Sequence, residues 1–154
     1  MAATTRTTTP AREAGDTWLA DCARHPELAH QVWDMDGLAP IHCTHWLAAE
    51  AQLSVALQAL RRIPQRQRGP LLLDPDLDTA WWLVAPDAAE ELADVRLLTV
   101  HPAGWPLHCP PTRRPAAGRF WLHAPDGRGR LTDPVHLASA LGPGGPRILA
   151  EAFG

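Results

Sequence analysis

Apolar residues recur along the first half of the chain with two different spacings. Residues 31–36 alternate between apolar and polar, which predicts a strand with Asp34 and Asp36 on one face. Residues 44–62 show helical spacing instead, which predicts the longest helix of the chain. The apolar stripe of this helix consists of Trp46, Leu47, Ala51, Leu53, Val55, Leu57 and Leu60. Such a stripe has to pack on a core, so the pattern predicts a folded domain.

Turn residues divide the second half of the chain into short apolar segments. These segments predict strands at 69–74, 79–86, 96–100 and 118–126. The strand at 79–86 is apolar on both faces, so we expect it at the centre of a sheet. Prolines restrict segment 101–111 to an edge strand or a loop. Residues 147–153 predict a last short strand or a docked turn.

Capping residues predict three further helices. Asp16 precedes a helix that runs to about residue 24. Asp87 and Glu90 form a capping-box pattern before a helix that runs to about residue 93. Asp133, followed by proline, opens a helix over 134–141 that stops before glycine.

The order of these elements predicts the fold class. Helices and strands do not alternate strictly, so we expect an α/β (α+β) fold with a single-layer mixed β-sheet packed by short helices. Residues 1–14 are a low-complexity Thr/Ala stretch that predicts a disordered tail, and residues 15–154 predict one compact domain.

Composition places the chain among globular proteins. Its 154 residues are 45% hydrophobic and 20% charged, which excludes a mostly disordered chain. No uncharged apolar run reaches about 18 residues, so we expect no membrane partner. The first residues show no signal-peptide pattern, which predicts a cytoplasmic protein.

The positive charge is carried by arginine alone and is unevenly distributed. All 14 basic residues are arginine, and Asn and Tyr are absent, as expected for a GC-rich genome. The arginine content is therefore weak evidence for nucleic-acid binding. Residues 61–69 hold four arginines and no acid, and residues 101–154 hold six against three acids. These regions predict either contact with an anion or an ordinary mixed surface.

Asp34 and Asp36 are the candidate catalytic and metal-binding residues. Two carboxylates on one face of a strand can hold Mg²⁺ or Mn²⁺, which grips nucleotide phosphates. The alternative is that both aspartates mark the end of a strand before a glycine turn. The other acidic set, Asp74, Asp76 and Asp78, lacks the pattern of a calcium loop and predicts a solvated turn.

Histidines and cysteines suggest zinc as a further possibility. They cluster in three places without the spacing of a zinc knuckle, so buried cysteines and hydrogen-bonded histidines are the alternative. The residues concerned are Cys22, His25, His42, Cys43, His45, His108 and Cys109. Neither a serine nucleophile motif nor a phosphate-binding glycine loop is present.

Aromatic and basic residues interleave in the last third of the chain. Tryptophan stacks on bases and arginine pairs with phosphates, which predicts nucleic-acid or anion binding. The candidates are Trp105, Arg113, Arg114, Arg119 and Trp121, with Arg128 and Arg130 behind them. The alternative is that both tryptophans lie in the core and the arginines solvate loops.

The order of segments over residues 31–126 resembles a known family. VWDMDGLAP and a helix precede GPLLLD, AWWLVAP, AAEELADV, WPLHCPPT and GRFWLHAPDG. This order is similar to small, divergent relatives of the N-terminal domain of bifunctional DNA primase/polymerases (prim-pol) of GC-rich bacteria. The resemblance implies a prim-pol-like fold and a site with two strand acids for metal, a Ser-x-His and a later Asp.

The chain departs from that family pattern at the catalytic positions. Asp34 and Asp36 match the metal acids, but Thr79-Ala80-Trp81 stands where the family has Ser-x-His, and no third Asp matches. The resemblance therefore implies a degenerate, non-catalytic domain that binds a nucleotide, a nucleic acid or a regulatory partner. A protein–protein interaction adaptor with no nucleotide role is the alternative. Mg²⁺ or Mn²⁺ is expected only if the aspartates form a live site.

Overall fold

The computed structural model describes residues 13–42 and 44–141, and within these ranges it is an α+β protein with five α-helices and two antiparallel sheets. The helices are α1 (Ala14–Asp21), α2 (Pro26–Asp34), α3 (Leu53–Leu60), α4 (Ala88–Glu91) and α5 (Pro134–Leu141). The first strands are β1 (Ala39–Ile41), β2 (Leu47–Gln52), β3 (Leu71–Asp74) and β4 (Thr79–Val84). The remaining strands are β5 (Thr99–Val100), β6 (Leu107–Cys109) and β7 (Phe120–His123).

Five strands form the main sheet in the order β5-β2-β4-β3-β7, and β1 pairs with β6 in a separate ribbon. Every pairing among the described strands is antiparallel, so the predicted mixed sheet is wrong in this respect. The hairpin of β3 and β4 shows the reason, since a single 3₁₀ turn (Pro75–Leu77) connects them. A parallel pair needs a crossover of a dozen or more residues, which this connection does not supply.

Both faces of the main sheet are covered. On one face α3, α4 and α5 pack against a cluster that includes Leu71, Trp82 and Val84. On the other face α1, α2 and the ribbon pack against a cluster that includes Leu72, Trp81 and Leu83. The alternation along β4 sends its side chains into both clusters, which confirms the predicted central strand.

The predicted strand at 31–36 is wrong, because this segment is the end of a helix. α2 continues to Asp34, and Asp36 follows in a left-handed backbone conformation with φ of 61°. Ala29 and Trp33 lie one turn apart and are buried together, whereas Met35 is exposed. The alternation in the sequence was therefore a coincidence within a short amphipathic helix. Asp34 and Asp36 consequently do not share one face of a strand.

The predicted helix at 44–62 divides into a strand and a helix. Residues Leu47–Gln52 form β2, and only Leu53–Leu60 are helical. Leu47, Ala49 and Ala51 enter one core cluster while Ala48 enters the other. The small alanines fit between two covered faces, so tertiary packing overrides their helical propensity.

The remaining predictions vary in accuracy. Strands at 71–74, 79–84 and 120–123 and the helix at 134–141 confirm their predicted positions, while β5 and α4 are shorter than expected. α1 begins at Ala14, so Asp16 lies in its first turn, and Asp87 makes no side-chain capping bond. The predicted tail lies almost wholly outside the described residues, as do Cys43 and the predicted element at 147–153.

None of the helices in the described ranges has the length and apolar character needed to cross a bilayer.

Candidate nucleotide-binding cleft

An open cleft of about 350 Å³ lies on the face of the main sheet against which α1 and α2 pack. We call it the Trp105 cleft. Its floor comes from β2 and β4, and one side comes from the segment before β6. Its polar and aromatic lining consists of Glu50, Thr79, Trp81, Trp105, His108 and Arg119.

Glu50 occupies the floor of the cleft because β2 and β4 pair in register. Glu50 lies directly opposite Trp81, whose Nε1 donates a hydrogen bond of 3.0 Å to Glu50 Oε1. The same oxygen lies 2.8 Å from Nε2 of His101. The second carboxylate oxygen has no hydrogen bond with a described residue, and the side chain is 36% exposed. Glu50 therefore presents an acceptor to the cleft.

Trp105 forms an aromatic wall. Its ring is stacked on the His101 ring, with centroids 3.7 Å apart and planes 5° apart. His101 is itself held by Glu50, so the orientation of Trp105 is fixed through two contacts. One face of the indole is covered by this stack, and the half-buried ring also packs against the core cluster on this face of the sheet.

Arg119 is an internal cation rather than a free one. Its Nε donates to Asp74 Oδ2 at 2.8 Å and its Nη1 donates to the His108 carbonyl at 2.7 Å. The guanidinium also lies 4.5 Å from the centroid of the Trp81 ring, a cation–π contact. Both charged side chains are largely buried, so Asp74 balances most of the Arg119 charge.

His108 lines the rim of the cleft. Partial burial lowers the pKa of His108, and the positive charges of Arg119 and His42 lower it further. The imidazole is therefore neutral at neutral pH and can both donate and accept a hydrogen bond.

The structure brings together two of the five predicted nucleic-acid contacts, Trp105 and Arg119. Trp121 is only 8% exposed and donates from Nε1 to the Pro110 carbonyl at 3.1 Å, so it is a core residue. Arg113 points to Glu13 at the surface, with the two groups 3.5 Å apart. Arg114 pairs with Asp36 and donates to the Trp33 carbonyl.

The predicted metal acids lie elsewhere. Asp34 and Asp36 are both exposed, and neither lines the Trp105 cleft. Across residues 13–42 and 44–141, no three His, Cys, Asp or Glu side chains gather closely enough to hold a metal ion. Within that part of the chain, the predicted histidine and cysteine cluster does not converge either.

Three residues that build the cleft, Glu50, His101 and Asp74, were not predicted as site residues. The sequence predicts a solvated turn at Asp74, but this side chain is buried against Arg119. Glu50 is the only acid between residues 37 and 73, within an otherwise apolar segment. That isolation is the signal that identifies it once the segment is assigned to a strand.

Comparison of the chain with protein-family models, with curated proteins and with solved structures gave no match.

Proposed function

We propose that this chain is a non-catalytic module that binds single-stranded nucleic acid or a nucleotide, with one base held in the Trp105 cleft. The observation that carries the proposal is the convergence of an aromatic wall and an accepting carboxylate on one open cleft. This pairing matches the two recognition features of an unpaired base, its π-face and its hydrogen-bonding edge.

Stacking supplies the sequence-tolerant part of the affinity. Base–aromatic stacking contributes about 1–3 kcal/mol per base. Trp105 is held in place by His101 before any ligand arrives, so little side-chain freedom is lost on binding. Arg119 helps to shape the site, because its contacts with Asp74 and Trp81 hold the floor of the cleft in place.

Glu50 supplies selectivity among bases. An ionised carboxylate only accepts hydrogen bonds, so its open oxygen favours a base that carries an amino group. Cytosine presents such a group where thymine presents a carbonyl oxygen. We therefore expect cytosine to bind more tightly than thymine.

The same proposal treats the chain as a divergent, non-catalytic relative of the prim-pol N-terminal domain. The order of the segments from GPLLLD to GRFWLHAPDG supports the relationship. The exposed position of Asp34 and Asp36 at the end of a helix, away from the cleft, supports the loss of nucleotidyl transfer. Assay of nucleotide incorporation on a primed template with Mn²⁺ is the check. Incorporation that Asp34→Asn abolishes would overturn the non-catalytic part.

The binding test compares two pyrimidine oligonucleotides of about 12 nucleotides, oligo(dC) and oligo(dT), by fluorescence anisotropy. We expect oligo(dC) to bind more tightly, and Glu50→Gln to remove most of that preference because an amide also donates. Trp105→Ala should weaken both oligonucleotides about tenfold or more, whereas Trp105→Phe should retain most of the affinity.

Leu97→Ala is the matched control, since Leu97 is an exposed apolar residue outside the cleft. Equal loss of affinity in Leu97→Ala and Trp105→Ala would contradict the assignment of the cleft. Absence of oligonucleotide and nucleotide binding at about 50 mM salt would contradict the function itself.

A protein–protein adaptor without a nucleotide role is the second candidate. Its support is apolar exposure at α2, where Leu28 in the helix is 53% exposed and Met35, the residue after the helix, is 78% exposed. Those residues select no particular partner, whereas the Trp105 cleft presents groups matched to a base. Salt separates the two functions, because affinity for nucleic acid falls steeply between about 50 and 200 mM salt and apolar contacts barely respond.

A further inference from the structure

A second cleft lies at the opposite end of the β3–β7 strand pair from the Trp105 cleft. It has a volume of about 210 Å³, and its titratable lining residues are Arg68, His123, Asp126 and Arg130. We call it the basic cleft. It joins the arginine-rich segment 61–69 to the arginine-containing loop after β7, two regions that are distant in sequence.

Hydrogen bonds hold these two regions together. Gly69 N donates to Thr132 Oγ1 at 2.9 Å, and Asp133 N donates to the Gln67 carbonyl at 3.0 Å. Arg130 Nη2 donates to the Arg66 carbonyl at 3.2 Å. The cleft is thus built from backbone segments whose relative position is fixed without a ligand.

The positive charge of the basic cleft is not balanced. No carboxylate of the described chain forms an ion pair with Arg68 or Arg130. Asp126 also lines the cleft, but it is engaged by Arg128: Oδ1 accepts from the Arg128 backbone N–H at 2.9 Å, and Oδ2 lies 3.9 Å from Arg128 Nε. Two arginines therefore line one concave surface whose one acidic lining residue, Asp126, contacts Arg128 rather than either of them.

We propose that the basic cleft is a binding site for a phosphate-type oxyanion held between Arg68 and Arg130. Arg68 Nε donates a hydrogen bond of 2.8 Å to the Ile63 carbonyl, which orients the guanidinium. Its terminal amino groups are left for a ligand. Arginine presents paired donors that match two phosphate oxygens. His123 and the Gln65 amide complete the donors around the site.

The anion has two chemical sources, free inorganic phosphate and the backbone of a nucleic acid, and both present the same group. The site does not depend on the proposed function, because it shares no residue with the Trp105 cleft. Failure of one site in an experiment therefore leaves the other intact.

The test is a calorimetric titration of the full chain with inorganic phosphate at constant ionic strength. We expect saturable binding that Arg68→Gln and Arg130→Gln each weaken about tenfold or more. Arg96→Gln is the matched control, since Arg96 is exposed and lies outside the cleft. Absence of saturable binding, or equal weakening by Arg96→Gln, would overturn the site.

Both arginines also donate to backbone carbonyls, so their loss can disturb the fold. Gln65→Glu avoids this, because it adds a negative charge to an exposed lining residue without removing any donor of Arg68 or Arg130. We expect it to weaken phosphate binding about tenfold while Gln67→Glu, outside the lining, has little effect. Unchanged phosphate affinity in a folded Gln65→Glu protein would also overturn the site.

A parallel titration with oligo(dC) identifies the source of the anion. Weakening of phosphate and oligonucleotide binding by the same variants assigns the site to the nucleic-acid backbone. Weakening of phosphate binding alone assigns it to free phosphate. Each of these results requires the proposed oxyanion site, and they differ only in what occupies it.

Discussion

Gly69 lies where the start of β3 passes directly under the segment that leads into α5. A Cβ atom at this position would stand 2.3 Å from Thr132 N and 2.4 Å from the Leu131 carbonyl carbon. Both are backbone atoms, so no side-chain rotation can relieve the contact. This close approach is what allows Gly69 N to bond Thr132 and hold the basic cleft together.

Gly69→Ala should therefore lower the free energy of unfolding by about 2–3 kcal/mol, the usual cost of forcing atoms into a packed site. Equilibrium denaturation by urea measures the change. Gly104→Ala is the control: no atom lies within 4 Å of its Cβ, and its φ of 84° is strained for alanine, which costs about 1 kcal/mol. Equal losses in the two variants would contradict a steric role for Gly69.

Candidate site residues can be predicted from the sequence only where the residues close to them in the sequence form a recognisable pattern. Trp105 and Arg119, which line the cleft, are candidates from the sequence because aromatic and basic residues interleave near them. Glu50 and His101 were not found, because their role arises from a contact between residues 51 positions apart. Trp121 was predicted as a nucleic-acid contact but lies in the core, because composition cannot distinguish a core tryptophan from one at a binding surface.

At the level of elements, the side chain of Asp133 caps the N-terminus of α5. Asp133 Oδ2 accepts a bond of 2.9 Å from the His136 backbone N–H and lies 2.7 Å from His136 Nδ1. The backbone bond is the larger cause that lowers the pKa of Asp133, and the bond to the His136 ring adds to it. The predicted N-cap of this helix is thus confirmed.

Asp133→Ala should cost about 1 kcal/mol of stability at neutral pH, because it removes this cap. The folded pKa is lower than the ordinary 3.8, so the contribution is complete above that pH and is lost as pH falls through the lowered value. The difference between wild type and variant, followed by thermal unfolding across pH, should shrink in acid.

Asp87→Ala supplies the contrast at α4. The capping box predicted there is not formed, since the Asp87 side chain makes no capping bond. We expect a change within about 0.5 kcal/mol, as for an ordinary surface substitution. A loss as large as that of Asp133→Ala would show that the distinction between the two caps is wrong.

The sequence pattern assigns the wrong secondary structure to two elements, β2 and α2. Strand β2 consists mainly of alanine and leucine, which favour a helix in isolation. It is a strand because β4 and β5 pair with it and both of its faces are covered. The α2 error has the opposite origin, since the apparent alternation over residues 31–36 lies at the end of a helix that begins at Pro26.

At the scale of the whole molecule, β3 and β7 connect the two clefts. Asp74 and Arg119 close the Trp105 cleft at one end, and Gly69 and His123 line the basic cleft at the other. The apolar side chains of β4 are buried in the core clusters on both faces of the sheet. The polar side chains of Asp74 and His123 lie instead at the ends of β3 and β7. Each cleft therefore contains a histidine whose surroundings are set by the same strand pair.

We expect these two histidines to make the free energy of unfolding depend on pH. Partial burial is the main cause that lowers the pKa of both His108 and His123, and Arg119 and Arg68 respectively add charge repulsion. A base whose folded pKa lies below its ordinary value of 6.5 stabilises the fold fully above that pH. The contribution is lost as pH falls through the lowered values.

We therefore expect the free energy of unfolding to fall between about pH 7 and pH 5, a range in which carboxylates contribute little. Replacement of both histidines by glutamine should flatten this part of the profile, measured by urea denaturation at each pH. Added phosphate should reduce the decline in wild type, because an anion beside His123 and Arg68 favours the protonated ring. An equally steep decline in the double variant would place the acid sensitivity elsewhere in the fold.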